Sequence, residues 1–212
     1  LFFALSCVSI SLSLAQQERF YGLGKLSSNL ITRITQDSSG FIWIATENGL
    51  NKFDGWSFTH YFYNDKDSTS LSGNYIETFF TDDSGSLWIG ANRGLEYYNP
   101  YKDSFIHVKF PDNTHPSVRG IIQLHSGEIW IVTGGYGLYS INKQTMTATS
   151  LTDVNKLLAI PYSNHIFEDR AHQIWIVLSE SRMACISPDK KSVKTYDLPI
   201  DPQYKVYGIT ED

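Results

Sequence analysis

Four tryptophans, Trp43, Trp88, Trp130 and Trp175, fall 45, 42 and 45 residues apart. Each lies inside an apolar run bounded by turn residues. The pattern is sharpest from Asp37 to Leu50 (DSSGFIWIATENGL) and from Asp82 to Leu95 (DDSGSLWIGANRGL). It returns in worn form from Leu124 to Leu138 (LHSGEIWIVTGGYGL) and from Asp169 to Met183 (DRAHQIWIVLSESRM). A period of about 40–45 residues marks one supersecondary unit used repeatedly, because a single unit cannot bury its apolar face alone.

Within each period four strand-like runs alternate with turn signals. The first repeat reads as strands over Ile31–Gln36, Phe41–Thr46, Leu50–Asp54 and Ser57–Tyr63. The second reads as Tyr75–Thr81, Ser86–Ala91, Leu95–Asn99 and Phe105–Phe110. The third reads as Val118–Leu124, Glu128–Thr133, Leu138–Asn142 and Thr147–Leu151. The fourth reads as Ser163–Glu168, Gln173–Leu178, Met183–Ser187 and Val193–Leu198. Asp37 with Gly40, Asp82 with Gly85, and Gly127 alone mark the first hairpin turn, where Gly takes the left-handed position. A composition of 14% aromatic and only 18% charged residues suits strands. The expected fold is an all-β β-propeller with four-stranded antiparallel blades of about 42–45 residues, here four blades of a seven-bladed ring. In the third repeat Leu124 replaces the turn Asp, and one residue is gained between Thr133 and Tyr136. In the fourth, His172 stands where Gly is expected and Arg182 replaces the second Gly, so both of its turns are expected to be rebuilt.

Residues 1–15 (LFFALSCVSISLSLA) carry no charge and end in small residues. They match the apolar region and cleavage site of a secretory signal, cut after Ala15, with its start missing. Cys7 lies inside that segment, which leaves Cys185 without a disulfide partner and suited to packing. Residues 16–30 form a lead-in. There Phe20-Tyr21 and Leu26-Ser27-Ser28-Asn29 make a shortened copy of Phe58–Asn74, as a strand that closes a ring would. Residues 31–212 hold blades one to four and the start of a fifth, Val206–Asp212, which stops before its tryptophan. A fragment truncated at both ends is expected.

Net charge is −5 and no basic run occurs, so nucleic acid is not an expected partner. The histidines are dispersed, with no metal-ligand spacing, and no nucleophile elbow, P-loop or dinucleotide fingerprint is present. No metal, cofactor or catalytic residue is expected in this segment. The repeated Trp43, Trp88, Trp130 and Trp175 are expected to pack between blades, and Asp37 and Asp82 to cap turns. A glycosidase pair made of Asp37 and Asp82 is disfavoured, because the two lie in successive blades, on the face away from the usual binding surface. Candidate ligand contacts are the residues that change from blade to blade in the loop between the second and third strands. These are Glu47, Asn48, Asn92, Arg93, Tyr136, Glu180 and Arg182. The long loops Asn64–Asn74 and Lys109–Ser117 are placed to wall the same face.

The repeat D-x-x-G-x-Φ-W-Φ-[GA]-x-x-x-G-Φ, with Φ apolar, resembles the two-component regulator propeller repeat. That family forms the periplasmic sensor region of hybrid two-component sensor histidine kinases of Bacteroidetes-type bacteria. Leu26-Ser27-Ser28-Asn29-Leu30 before the first repeat matches how such sensors begin. The resemblance covers residues 20–212, closely in the first two repeats and loosely in the fourth. It implies a periplasmic, inner-membrane-anchored sensor whose full-length parent is a protein histidine kinase. The partners it implies are an oligosaccharide ligand, the remaining blades, a downstream membrane-spanning kinase of the same chain and a second copy in a homodimer. The alternatives are a propeller-type lyase or hydrolase and a passive interaction scaffold.

Overall fold

The computed structural model describes residues 26–158, 165–179 and 182–199. The signal-like segment, the Phe20-Tyr21 strand and the fifth copy lie outside the described residues.

Among the described residues sixteen strands form four separate sheets, each an antiparallel meander in chain order. Blade one comprises β1 (Ile31–Gln36), β2 (Ile42–Thr46), β3 (Gly49–Phe53) and β4 (Phe58–Tyr61). Blade two comprises β5 (Ile76–Thr81), β6 (Leu87–Ala91), β7 (Gly94–Asn99) and β8 (Ser104–His107). Blade three comprises β9 (Val118–Gln123), β10 (Ile129–Thr133), β11 (Leu138–Asn142) and β12 (Thr147–Ser150). Blade four comprises β13 (His165–Glu168), β14 (Ile174–Ser179), β15 (Arg182–Ile186) and β16 (Val193–Asp197). The first strands of successive blades neighbour one another, β1 beside β5, β5 beside β9 and β9 beside β13. This is the arrangement of propeller blades about a common axis, and the expected fold class holds.

The first hairpin is built the same way four times. The Asp37 N–H donates to Phe41 O (3.0 Å), and the Gly40 N–H donates back to Asp37 O (3.0 Å). The same pair of bonds recurs at Asp82, at Leu124 and at Asp169. Gly40, Gly85 and Gly127 take φ of 89°, 79° and 85°. Blade four corrects the expectation from its sequence. Its first turn is not rebuilt, because His172 itself adopts the left-handed conformation at φ 60°. The tight i→i+3 bond and the pairing of the flanking strands outweigh the roughly 1 kcal/mol that a β-carbon costs there. At the second turn of blade four Ser179 pairs with Arg182, the register shifts between Val177 and Ser179, and residues 180 and 181 lie outside the described residues.

Two elements were not legible in sequence. β8 ends at His107, short of the expected Phe110. The chain there crosses to blade three, where Lys109 exchanges backbone bonds with Met146 and Ala148 (both 2.8 Å). A helix, α1 (Thr152–Leu158), follows β12 and buries Val154 and Leu158. Its Asn155 side chain grips the backbone of Leu138 at both N–H (2.8 Å) and O (3.0 Å), doing with an amide what a neighbouring strand would do.

The core lies between blades. Trp43 packs with Leu71, Ile76, Ile89 and Phe105 of the next blade, its ring 4.6 Å from that of Tyr98. Trp88 packs with Ile129, Ile131 and Tyr139 of blade three, and Trp130 with Ile174, Ile176 and Ile186 of blade four. These three tryptophans are fully buried, as expected. Trp175 is partly buried and lies 5.5 Å from the ring of Tyr196 in its own blade.

Candidate ligand-binding face

The two ends of the blades differ. One end carries the Asp turns, with the turns between third and fourth strands beside them. There the repeated Asp does more than cap. Asp37 Oδ1 accepts the N–H groups of Ser39 and Phe41, and its Oδ2 accepts the indole N–H of Trp43 (2.7 Å). Asp82 bonds the Trp88 indole at 3.0 Å and Asp169 bonds the Trp175 indole at 2.8 Å. Blade three lacks the Asp, and Glu128 receives the Trp130 indole instead (3.1 Å). A buried indole N–H needs an acceptor, and two chain positions can supply one. Neighbouring blades add lysines. Lys143 donates to the buried Asp82 (2.8 Å), and Lys190 donates to Glu128 while lying 4.8 Å from the centroid of the Trp130 ring. Burial pushes the Asp82 carboxyl up. The bonds from Lys143, Ser84, Trp88 and the Ser86 backbone outweigh this and hold it well below the usual carboxylate range.

The opposite end brings the loops between second and third strands against the segments that lead into first strands. The Glu47 N–H donates to Leu30 O (3.1 Å), Gly49 N–H to Asn74 O (2.7 Å), Asn92 N–H to Tyr75 O (2.9 Å) and Gly134 N–H to Ser117 O (2.8 Å). The lead-ins of blades one and two are also pinned from beneath. In blade one, buried Asn51 accepts from the Ser27 N–H (2.8 Å), donates to Ser27 Oγ (2.9 Å) and meets His60 Nδ1 (2.8 Å). In blade two, buried Glu96 accepts from the Ser72 N–H (3.0 Å) and its hydroxyl (2.6 Å), and His107 is its cross-strand partner. Burial raises the Glu96 carboxyl to about 7, while the Ser72 bonds and His107 pull it the other way.

The sequence-selected residues that are described fall on this end, each in its own setting. Glu47 accepts from the Ser28 hydroxyl (3.3 Å) and Asn48 from the Asn74 amide (3.1 Å). The Asn92 side chain lies over Gly73, where a β-carbon would sit 2.2 Å from its Oδ1. The Arg93 guanidinium lies 5.2 Å from the centre of the Tyr63 ring. Tyr136 is exposed in the loop of blade three. Arg182 is committed to Asp197 (3.0 Å) in its own blade. Glu180 lies outside the described residues.

Of these residues only Arg93 lines a cavity described at this end, of about 280 Å³. The segment Lys109–His115 closes it with Lys109, Asn113 and His115, and the floor includes Leu95, Val108 and Phe110. The expectation that this loop walls the face is met in blade two. His107 carries no sequence signal for this placement and His115 is marked only as part of its loop, because the pairing of β7 with β8 and the crossing to blade three bring them to Arg93. A second cavity, of about 420 Å³, lies along the innermost strands, with Arg33, Arg119 and His165 in its wall. No group of three or more His, Cys, Asp or Glu side chains suited to a metal ion occurs among the described residues.

Residues 25–48 and 70–93 match the two component regulator propeller family. The curated protein "Histidine kinase P4" of Formosa agariphila is 44% identical over 52 residues, which is 24% of this chain and 4% of that protein. The extracellular domain of the putative hybrid two component system BT3049 from B. thetaiotaomicron superposes with a TM-score of 0.72 at 30% identity. That match covers 82% of this chain and 26% of the other. The corresponding domain of BT4673, at 24% identity and a TM-score of 0.68, covers 78% and 24%. Virginiamycin B lyase from Staphylococcus aureus, at 15% identity and a TM-score of 0.61, covers 81% and 57%, and shares the fold alone. The chain thus spans about a quarter of the length of the two-component ectodomains.

Proposed function

This chain carries two-component regulator propeller repeats, and we propose that it is the extracytoplasmic, ligand-sensing part of a hybrid two-component sensor histidine kinase responding to oligosaccharides. The observation that carries this reading is the 30% identity, over 82% of the chain, to the extracellular domain of a putative hybrid two component system. The local 44% identity to a histidine kinase agrees with it. In this reading the end of each blade that repeats builds a rigid frame. The ligand meets the other end, where Glu47, Asn48, Asn92, Arg93, Tyr136, Glu180 and Arg182 differ from blade to blade. Amides, carboxylates and guanidinium groups there suit sugar hydroxyls, and Tyr136 offers a stacking face. Export by the N-terminal segment would place the propeller in the periplasm, with further blades and a membrane-anchored kinase later in the same protein, working as a monomer or a homodimer.

The test is autophosphorylation of the full-length protein in membrane vesicles, titrated with oligosaccharides from polysaccharide digests. A saccharide-dependent change in phosphorylation, lost in Arg93→Ala with Tyr136→Ala, is the expected result. A full-length protein without kinase sequence, or phosphorylation indifferent to every saccharide pool, would overturn it.

A further inference from the structure

The cavity beside Arg93 has a chemical character that the general reading of a sugar-binding face does not require. Its wall presents Arg93, Lys109 and His115, and no carboxylate lines it. Across the whole chain acids outnumber Lys and Arg by 22 to 17, so a wall with basic groups and no acid runs against the composition. Among the described residues none of these three side chains makes a hydrogen bond or an ion pair with an acidic group. Arg93 is steadied by the Tyr63 ring instead, which leaves the guanidinium donors available.

Two further observations set the cavity apart from an ordinary solvated surface. The floor is dry: Leu95, Val108 and Phe110 are buried, so charges above them face a less polarisable medium than open water. The wall also turns sharply through the left-handed region. Asp112 and Asn113, adjacent and neither a glycine, take φ of 56° and 52°. This turn presents Asn113, Thr114 and His115 to the cavity. Asp and Asn enter this region more readily than other residues with a β-carbon, so the turn is held in shape at small cost.

We propose that this cavity is a subsite for an acidic group on the sensed saccharide, either a carboxylate or a sulfate ester. The inference rests on reading this end of the blades as the ligand face. Arg93 forks onto two oxygens of the acidic group, as guanidinium does with planar or tetrahedral oxyanions. Lys109 and His115 approach from the crossing segment, and Asn113 supplies an amide for a neighbouring hydroxyl. About 280 Å³ accommodates one sugar ring with its acidic substituent, so adjoining residues of an oligosaccharide would extend along the loops toward Asn48 and Asn92.

Calorimetric titration of the full-length protein in detergent tests this with digalacturonate, the neutral galactose disaccharide of the same linkage, that neutral disaccharide with one sulfate ester, and inorganic sulfate. At least one acidic disaccharide should bind tenfold or more tightly than the neutral one, with a preference that shrinks as ionic strength rises. The carboxylate and sulfate arms decide which acid is recognised. Arg93→Ala should weaken acidic-sugar binding about ten- to a hundredfold, as loss of a charge-assisted bond does. Lys109→Gln should weaken it less, and Tyr101→Ala, at the other end of the blade, should leave it unchanged. The circular dichroism of each variant should match the parent. Equal affinity for neutral and acidic disaccharides, binding of inorganic sulfate alone, no binding of any probe, or acidic binding indifferent to both Arg93→Ala and Lys109→Gln would each overturn the proposal. Charge-selective binding without any change in kinase phosphorylation would strike the sensing reading and leave the subsite standing.

Discussion

The two ends of the blades follow opposite rules. At the Asp-turn end every described blade solves one problem, an indole N–H taken out of water, and three of the four solve it with the same Asp. Blade three reaches the same result with Glu128, four residues further along the chain than Leu124. At the loop end little repeats beyond the backbone bonds that hold the loops down and the threonine hydroxyls of Thr46 and Thr133, which donate to Gly49 O and Gly137 O. Even the buried anchor changes, from the amide of Asn51 in blade one to the carboxylate of Glu96 in blade two. Where a contact serves packing, each blade must make it. Where it faces solvent, residues are free to differ, and differing residues can recognise something.

The strongest way to break the first rule is Trp88→Ala. It removes a fully buried ring that joins blades two and three, and should cost about 3–5 kcal/mol in urea denaturation of the protein carrying this chain. A cost under about 1 kcal/mol would show that the blades do not depend on the indole for their junction.

Asp82→Ala should come next, at about 3 kcal/mol. It strips acceptors from the Trp88 indole, from the Ser84 and Ser86 N–H groups, and from Lys143. Asp37→Ala should cost less, because no lysine reaches Asp37 among the described residues. The folded-state pKa of Asp82 lies below its unfolded value. Its stabilisation is therefore present above about pH 4 and is lost as pH falls toward the folded value. The Asp82→Ala variant should lose that acid sensitivity, and equal acid sensitivity of variant and parent would refute the assignment.

Glu96→Gln sharpens the contrast between the two anchors, since it gives blade two the amide chemistry that Asn51 already uses. Raised to about 7, the Glu96 carboxyl binds its proton more tightly folded than unfolded. The parent should therefore lose stability as pH rises from about 4.5 to about 7, the opposite slope to that of Asp82. Glu96→Gln should remove this slope and stabilise the protein by about 1–3 kcal/mol at pH 8, read as a higher urea midpoint. A midpoint unchanged at both pH 5 and pH 8 would show that Glu96 is not held as described.

The smallest effect is expected at His172→Gly. The glycine restores the usual residue at φ 60° but loses the stacking on His125 (4.3 Å) and the pairing with Glu168 (3.4 Å). A net change within about 0.5–1 kcal/mol follows. A loss above about 2 kcal/mol would mean that the two histidines form a junction between blades three and four, not a tolerated departure.

Much of this protein is written in local pattern. The four strands per repeat, the hairpins at Asp37 and Asp82, and the burial of the tryptophans all depend on residues within a few positions of one another, where alternation and turn chemistry are sufficient. Reading His172 as a disruption failed because residue preferences state what a turn favours, not what flanking strands can impose. The helix Thr152–Leu158 was hidden because seven residues hold too few apolar positions to show a period.

At the candidate site, Arg93 stood out as a non-repeating loop residue, Lys109 and His115 were marked only as part of a long walling loop, and His107 was not marked at all. Their meeting depends on β8 ending early, on the crossing to blade three and on a left-handed turn at Asp112 and Asn113. The sequence alone determined the repeat, its strand order and the positions that pack, because periodic burial is a one-dimensional constraint. Only the tertiary structure decided which lysine reaches which carboxylate across 61 residues of chain, as Lys143 and Asp82 show, and which cations share one cavity. Those juxtapositions come from neighbouring blades closing on each other, and no local preference encodes them.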